Sequence, residues 1–252
     1  MTLHGRSPGV LRRQAALFLS ALLLHVVAGC AETPHASVPE PESRLTVLGP
    51  VSSFSVETLP SDWTSQGRSD IGPHRVEIVR LEGIPALRVQ NGKESFVLVR
   101  RIDSSLIVTP YLSWSWNMGS YESGMHPVRL IVGFHGGAPD SRNIGGQVLR
   151  WLGTDLPPHD RAMSFAWGDS ALQRGSLTDV EQEKPSVPRY VVRGGREHGG
   201  TWWLETLDMA QLYNRAWPGD TPSRAKIVFI GIASEAGRPP SEANFSGILL
   251  SR

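Results

Sequence analysis

The chain has one cysteine in 252 residues, Cys30, and that scarcity already narrows what it can be. A single thiol closes no disulfide, so apolar burial must hold the fold together. No apolar run reaches the roughly 20 residues of a spanning helix, which argues against a transmembrane anchor. No Gly-x-Ser-x-Gly pentapeptide sits at a strand-to-helix turn of the domain, so a serine hydrolase has no signature here. The histidines include no i, i+4 pair of the kind that holds a metal on a helix. The glycines of Gly133–Gly137 and Gly194–Gly200 read as hairpin and loop residues, not as a phosphate cradle. No metal, cofactor or catalytic residue is therefore expected.

Charge is also scarce once it is located. The chain carries 25 basic and 24 acidic residues. Residues 1–29 hold three of the arginines and no acid, so 22 basic groups face 24 acidic ones beyond them, a balance of −2. A nucleic-acid footprint needs a basic face, and none remains.

What is present begins with an export signal. Arg6, Arg12 and Arg13 form a basic start, an apolar stretch follows from about Ala15 to Val27, and Ala28-Gly29 lead into Cys30. Small residues before a cysteine suit a lipoprotein signal peptidase, and the thiol is the nucleophile that takes up the diacylglyceryl chain. Residues 1–29 are thus expected to be a signal peptide, with Cys30 as the lipid attachment site. Arg12-Arg13 is flanked by residues that match a folded-export signal poorly. Residues 30–44 form the anchor and a tether: Ala31–Ser43 has three prolines and three glutamates, a composition expected to stay flexible. Ala31-Glu32 lacks the aspartate that retains enterobacterial lipoproteins at the inner membrane, so the periplasmic face of the outer membrane is the expected address.

Residues 45–252 are long enough for one domain with a sizeable core. Short β-branched and aromatic runs alternate with Gly, Pro, Asn and Asp, predicting strands at 52–57, 75–80, 86–90, 95–101, 112–118, 128–135, 163–167, 189–193, 202–207, 226–233 and 244–250. Leu112, Trp114, Trp116 and Met118 fall on one face, opposite Ser113, Ser115 and Asn117. Val128, Leu130, Val132 and Phe134 oppose Arg129, Ile131, Gly133 and His135 in the same way, the pattern of half-buried antiparallel strands. One helix is predicted: Met209, Leu212, Tyr213 and Ala216 keep an amphipathic spacing, Asp208 and Gln211 resemble a capping box, and Pro218-Gly219 would stop it. The expected fold is all-β, an antiparallel β-sandwich of jelly-roll type with one short helix. The segment from Gly136 to Arg161 reads as a long polar loop, a common place for function.

The order of features resembles a family of secreted bacterial proteins known as domain of unknown function three-thousand-and-forty-seven. The likeness runs over roughly residues 50–252 and is carried by Leu59–Trp63, Ala86–Val89, Tyr111–Trp116 with its Trp-x-Trp, Val128–Phe134, Phe165–Trp167, Tyr190–Gly195 and Gly231–Gly247. It implies a secreted β-sandwich like those of carbohydrate-binding modules and supplies no established activity. Two stretches depart from the family's acidic patterns, Glu122–His126 and Ser234–Arg238.

Eight tryptophans are many for one domain. Exposed indoles stack on sugar rings, whereas Trp114 and Trp116 share a face with core residues and are expected to pack inside. Trp202 and Trp203 are adjacent, must face opposite ways on a strand, and make the better ligand contact. Arg193, Arg196 and His198 form a basic loop that an anionic glycan could meet, although a solvated hairpin tip accounts for it as well. His126, His135 and His159 are the histidines that loops could gather beside Asp155 or Asp160. A glycosidase needs two carboxylates across a cleft, and Glu122, Asp155, Asp160, Glu205 and Asp208 are the residues available. The expectation is a lipid-anchored envelope protein whose sandwich binds a ligand without catalysis, a polysaccharide foremost. A glycan-acting hydrolase, or a structural subunit of an envelope protein complex, is the alternative.

Overall fold

The structure, a computed structural model, describes residues 35–49, 59–67, 71, 75–139, 156–178, 187–237 and 239–252. The chain divides into two compact units, Met1–Pro34 and His35–Arg252. The expected export signal and Cys30 lie outside the described residues, as do the predicted strand 52–57, His74, Trp151 and Asp155. Among the described residues no helix is long and apolar enough to cross a membrane.

Among the described residues thirteen strands and one α-helix follow in chain order. The first seven strands are β1 (Leu45–Leu48), β2 (Trp63–Gln66), β3 (Val76–Leu81), β4 (Ile84–Gln90), β5 (Phe96–Ser105), β6 (Tyr111–Met118) and β7 (Val128–His135). Then come β8 (Arg161–Gly168), β9 (Leu177–Thr178), β10 (Arg189–Gly194), β11 (Trp202–Asp208), helix α1 (Met209–Ala216), β12 (Lys226–Ser234) and β13 (Glu242–Ser251). They build two sheets. The first runs β11-β6-β13-β4-β3, with β1 also on β13; the second runs β2-β5-β12-β7-β8-β10-β9. The β-sandwich expected from the strand pattern is therefore present, with one departure: β8 and β10 pair in parallel, Ser164 facing Arg189. Strand alternation fixes which face a residue takes but not which strand lies beside it, so this pairing leaves no mark in the sequence.

The core between the sheets is aromatic. Trp114, Trp116, Trp167, Phe165 and Phe245 are fully buried. Trp116 meets Trp114 edge-on at 5.4 Å and Trp167 of the opposite sheet at 5.6 Å. Edge-to-face rings at such spacings add about 0.5–1.5 kcal/mol to what burial alone provides.

The two sheets differ on their outer faces, and the difference places the site. On the second sheet Val97, Val99, Ile131, Phe229 and Ala233 form a second apolar cluster with Leu156 and Val187. Strand β7 is consequently buried on both faces, not half-buried, and only His135 at its end is exposed. Gly133 fits this face because a Cβ there would run into the Phe229 ring. The first sheet keeps the predicted alternation, apolar inward and polar outward, and its outer face carries no such apolar cluster among the described residues.

Local signals behave as chemistry dictates. Glu82 and Gly83 both take positive φ, 53° and 81°, which suits the tight turn joining β3 to β4. In α1 the Asp208 carboxylate accepts the Gln211 N–H at 2.9 Å, while Met209, Leu212 and Tyr213 face the core. Replacing Asp208 by alanine is expected to cost about 1 kcal/mol, read as a lowered urea midpoint with an unchanged slope.

The tether needs correction. Its residues from Ser37 onward lie on the domain: the Ser37 N–H donates to Arg101 O at 3.0 Å and Asp103 N–H donates to Ser37 O at 2.9 Å. Strand β2 covers β5 only from Val97 to Arg100. Beyond it Asp62 O accepts the Arg101 N–H, and Ser37 takes up Arg101 O and the Asp103 N–H on the same edge, a pairing that outweighs the solvation of a polar segment. The ordered domain thus begins before Leu45.

Candidate functional site

The adjacent tryptophans on β11 do point opposite ways. Trp203 lies opposite Trp116 and packs against the core, whereas Trp202 lies opposite Asn117 on the outer face. Trp203 is already engaged. The Arg193 guanidinium sits 3.8 Å above its ring, its Nε1–H donates to His198 O at 3.2 Å, and the His198 ring meets it edge-on at 5.6 Å. Arg193 Nε in turn donates to Glu205 Oε1 at 2.6 Å; Glu205 is only 4% exposed and also accepts from Trp116 Nε1 at 3.4 Å. Arg196 donates to Glu122 O at 2.6 Å and lies 3.4 Å from Asp169. The structure therefore brings Trp203, Arg193 and His198 together as a stacked and ion-paired clasp at the edge of the sandwich. The loop that reads as a basic hairpin tip is occupied by its own acids.

The histidines do not converge. His126 precedes β7 and His135 ends it, about 25 Å apart at strand rise. His135 lies 3.6 Å from Asp160, whose carboxylate accepts the Gly136 N–H at 2.7 Å, and the His159 ring packs edge-on to Phe229 at 5.0 Å. Among the described residues no group of three His, Cys, Asp or Glu side chains could hold a metal ion. Burial keeps His159 less basic than an ordinary histidine.

Trp202 belongs to a larger arrangement. Register pairs Glu77 with Arg88, Arg88 with Asn244, Asn244 with Asn117, and Asn117 with Trp202. Those five side chains form one row straight across the outer face of the first sheet. Four strand spacings make it about 19 Å long. Arg88 organises the row: its Nε donates to Asn244 Oδ1 at 3.2 Å, its Nη1 lies 3.4 Å from Glu77, and Glu242 stands 3.6 Å away. Asn244 Nδ2 reaches Asn117 O at 3.4 Å. Hydroxyls of Ser113, Ser246 and Thr206 occupy neighbouring rows, with Ser113 and Thr206 2.9 Å apart. At the edge Leu204 is 72% exposed beside Trp202. The Trp202 Nε1–H is buried without an acceptor among the described residues. Arg88, Asn244 and Glu77 escape a reading of the sequence, because each sits on a different strand and only the pairing aligns them. The visible trace was the polar side of the Trp-x-Trp strand.

Three of the five carboxylates available for hydrolysis are engaged in the fold. Glu205 holds Arg193, Asp208 caps α1, and Asp160 binds a backbone amide.

A two-sheet β-sandwich with a polar row across the outer face of one sheet, its central Asn117 and Asn244 buried and its Glu77 and Arg88 partly exposed, is the class that the fold and the row define. A family model described as "Protein of unknown function (DUF3047)" matches residues 61–248, so the chain belongs to that family. No curated protein matches the chain. Among solved structures it is similar to a family 11 carbohydrate-binding module from Clostridium thermocellum in complex with a β-1,3-1,4-mixed-linked tetrasaccharide: TM-score 0.39, 8% identity, 82% of this chain and 94% of that one covered. A family 30 carbohydrate-binding module of a Clostridium thermocellum cellulosomal cellulase gives a TM-score of 0.33 at 11% identity, covering 86% and 96%. The K2 cleaved adhesin domain of Lys-gingipain gives 0.36 at 9% identity, covering 83% and 99%.

Proposed function

We propose that this domain is a non-catalytic glycan-binding module, that the outer face of its first sheet is the binding surface, and that acylated Cys30 holds it on the periplasmic face of the outer membrane. The row Glu77–Arg88–Asn244–Asn117–Trp202 is the observation that carries the reading. An indole offers an apolar plane matched to a pyranose face, at little entropic cost. The partly exposed Arg88 guanidinium and the Glu77 and Glu242 carboxylates on the same face supply donors and acceptors for ring hydroxyls, with the buried Asn244 amide holding Arg88 in place, as a specific site requires. About 19 Å of aligned side chains accommodates several consecutive sugar rings. The face is a sheet surface and not a cleft, and the two carboxylates beside the row, Glu77 and Glu242, both pair with Arg88. That favours holding a chain over cutting it.

Trp202→Ala is expected to retain the fold and lose at least tenfold in affinity for the polysaccharide that wild type prefers, as read by calorimetry after a thermal-shift screen of a broad panel. An unchanged affinity removes the face from consideration. The anchor has its own test. Cys30→Ser should abolish both lipid labelling and signal processing, and a variant processed and labelled like wild type contradicts the lipoprotein reading.

A further inference from the structure

A concave site lies away from the Trp202 row, where β2 and β12 end and β5 and β7 begin. It has a volume of about 390 Å³ and is lined among others by Gln66, Phe96, Arg129, Ser234 and Glu235. On the far side of Glu235 a smaller depression of about 210 Å³ is bounded by Tyr121, Met125 and Pro127. The two stretches that depart from the family's acidic patterns, Glu122–His126 and Ser234–Arg238, thus contribute residues to the same end of the sandwich.

The charges here do not balance. Arg129, 3% exposed, reaches Glu235 Oε1 through Nη2 at 2.5 Å. Arg189 Nη2 shares the same oxygen at 3.2 Å, and its Nη1 contacts Met125 Sδ at 3.4 Å. Among the described residues two guanidiniums thus share one carboxylate, leaving a positive excess around a buried Arg129 and a partly exposed Arg189. Burial raises the Glu235 pKa, but the Arg129 hydrogen bond and the charges of both arginines outweigh it and hold the group below its usual range. Burial and the nearby charge of Arg129 make Arg189 a weaker base than usual, against the pull of Glu235.

Hydrogen-bonding capacity is left over as well. Arg129 Nε, Ser234 Oγ and Gln66 Oε1 are all buried with no partner among the described residues. An unpaired buried polar group is costly, most of all a charged one. Gln66, Arg129 and Ser234 line one cavity and between them keep a cationic donor, a hydroxyl and an acceptor without a counterpart among the described residues, just beneath its wall. A carboxylate would answer the arginine, and a hydroxyl beside it would answer Gln66 and Ser234.

We propose that this cavity binds a hydroxyl-bearing carboxylate of sugar-acid size, either free or as the terminal residue of an acidic glycan. This inference is independent of the Trp202 face. The test titrates the full chain at low ionic strength with galacturonate, with galacturonate oligomers, with glucose and with inorganic phosphate. The expected result is saturable one-to-one binding of galacturonate at least tenfold tighter than glucose or phosphate. Binding of the monomer as tightly as the oligomer assigns a free acid; tighter binding of the oligomer assigns a chain end. Arg189→Gln should weaken galacturonate at least fivefold, while Glu235→Gln, which removes the competing carboxylate, should tighten it. Ser234→Ala should weaken it severalfold without lowering the melting temperature, and Trp202→Ala should leave it unchanged. No galacturonate binding, equal binding of glucose or phosphate, or indifference to Arg189→Gln and Glu235→Gln would overturn the proposal.

Discussion

Glu205→Ala is expected to destabilise the fold by about 3–5 kcal/mol, the cost of stripping one partner from a buried ion pair. The carboxylate is 4% exposed as a side chain and Arg193 15%, and 2.6 Å separates Oε1 from Nε. Alanine leaves that guanidinium charged, stacked on Trp203 and without an acceptor, and deprives Trp116 Nε1 of its own. The damage should concentrate at the edge of the first sheet, where β11 joins β6. Urea denaturation checks it: the midpoint falls sharply in the single variant and recovers much of the loss in Glu205→Ala with Arg193→Met. A single-variant loss under about 1 kcal/mol would show the pair to be solvated in practice.

The second large effect is acid destabilisation through His126. Its side chain is 1% exposed, and the Val128 N–H donates to its Nδ1 at 3.1 Å, a bond that only an unprotonated Nδ1 can accept. The Tyr121 ring closes over it edge-on at 5.1 Å. Burial pushes its pKa from 6.5 down to about 4, against the backbone carbonyls that favour the charged form. The sign follows from proton counting. Between those values the unfolded chain binds a proton that the folded one refuses, so stability is full above about pH 6.5 and falls as pH drops towards 4. Below that both states are protonated and the loss is complete, up to about 3 kcal/mol. Unfolding free energies at pH 7.5 and 4.5 should differ by most of that amount in wild type and by much less in His126→Gln. Parallel pH profiles for the two proteins would contradict it.

Much of this architecture was written locally. The inward set of β6, Leu112, Trp114, Trp116 and Met118, was legible because parity along a strand is a local property, and all four are fully buried. Helix α1 was legible because its cap and its apolar spacing lie within nine residues of each other. The parallel pairing of β8 with β10 and the docking of Ser37 on β5 were not, since each depends on which edge a distant segment leaves open. The site divides in the same way. That Trp202 and Trp203 must face apart follows from their adjacency, but only strand register shows Trp203 spent on Arg193 and Trp202 at the end of a polar row. Arg129 was visible as a charge in an apolar strand. Its meaning came from Glu235, 106 positions away and brought alongside by the β7–β12 pairing.

Glycan recognition by the first sheet is most directly tested by mapping where a ligand sits. Side-chain and backbone resonances of the full chain would be followed by NMR while the best-binding polysaccharide fragment is added. Perturbations centred on Glu77, Arg88, Asn117, Trp202 and Asn244, fading along each strand away from that row, are the predicted result. Perturbations confined to other surfaces, or none with any glycan tried, would contradict the account.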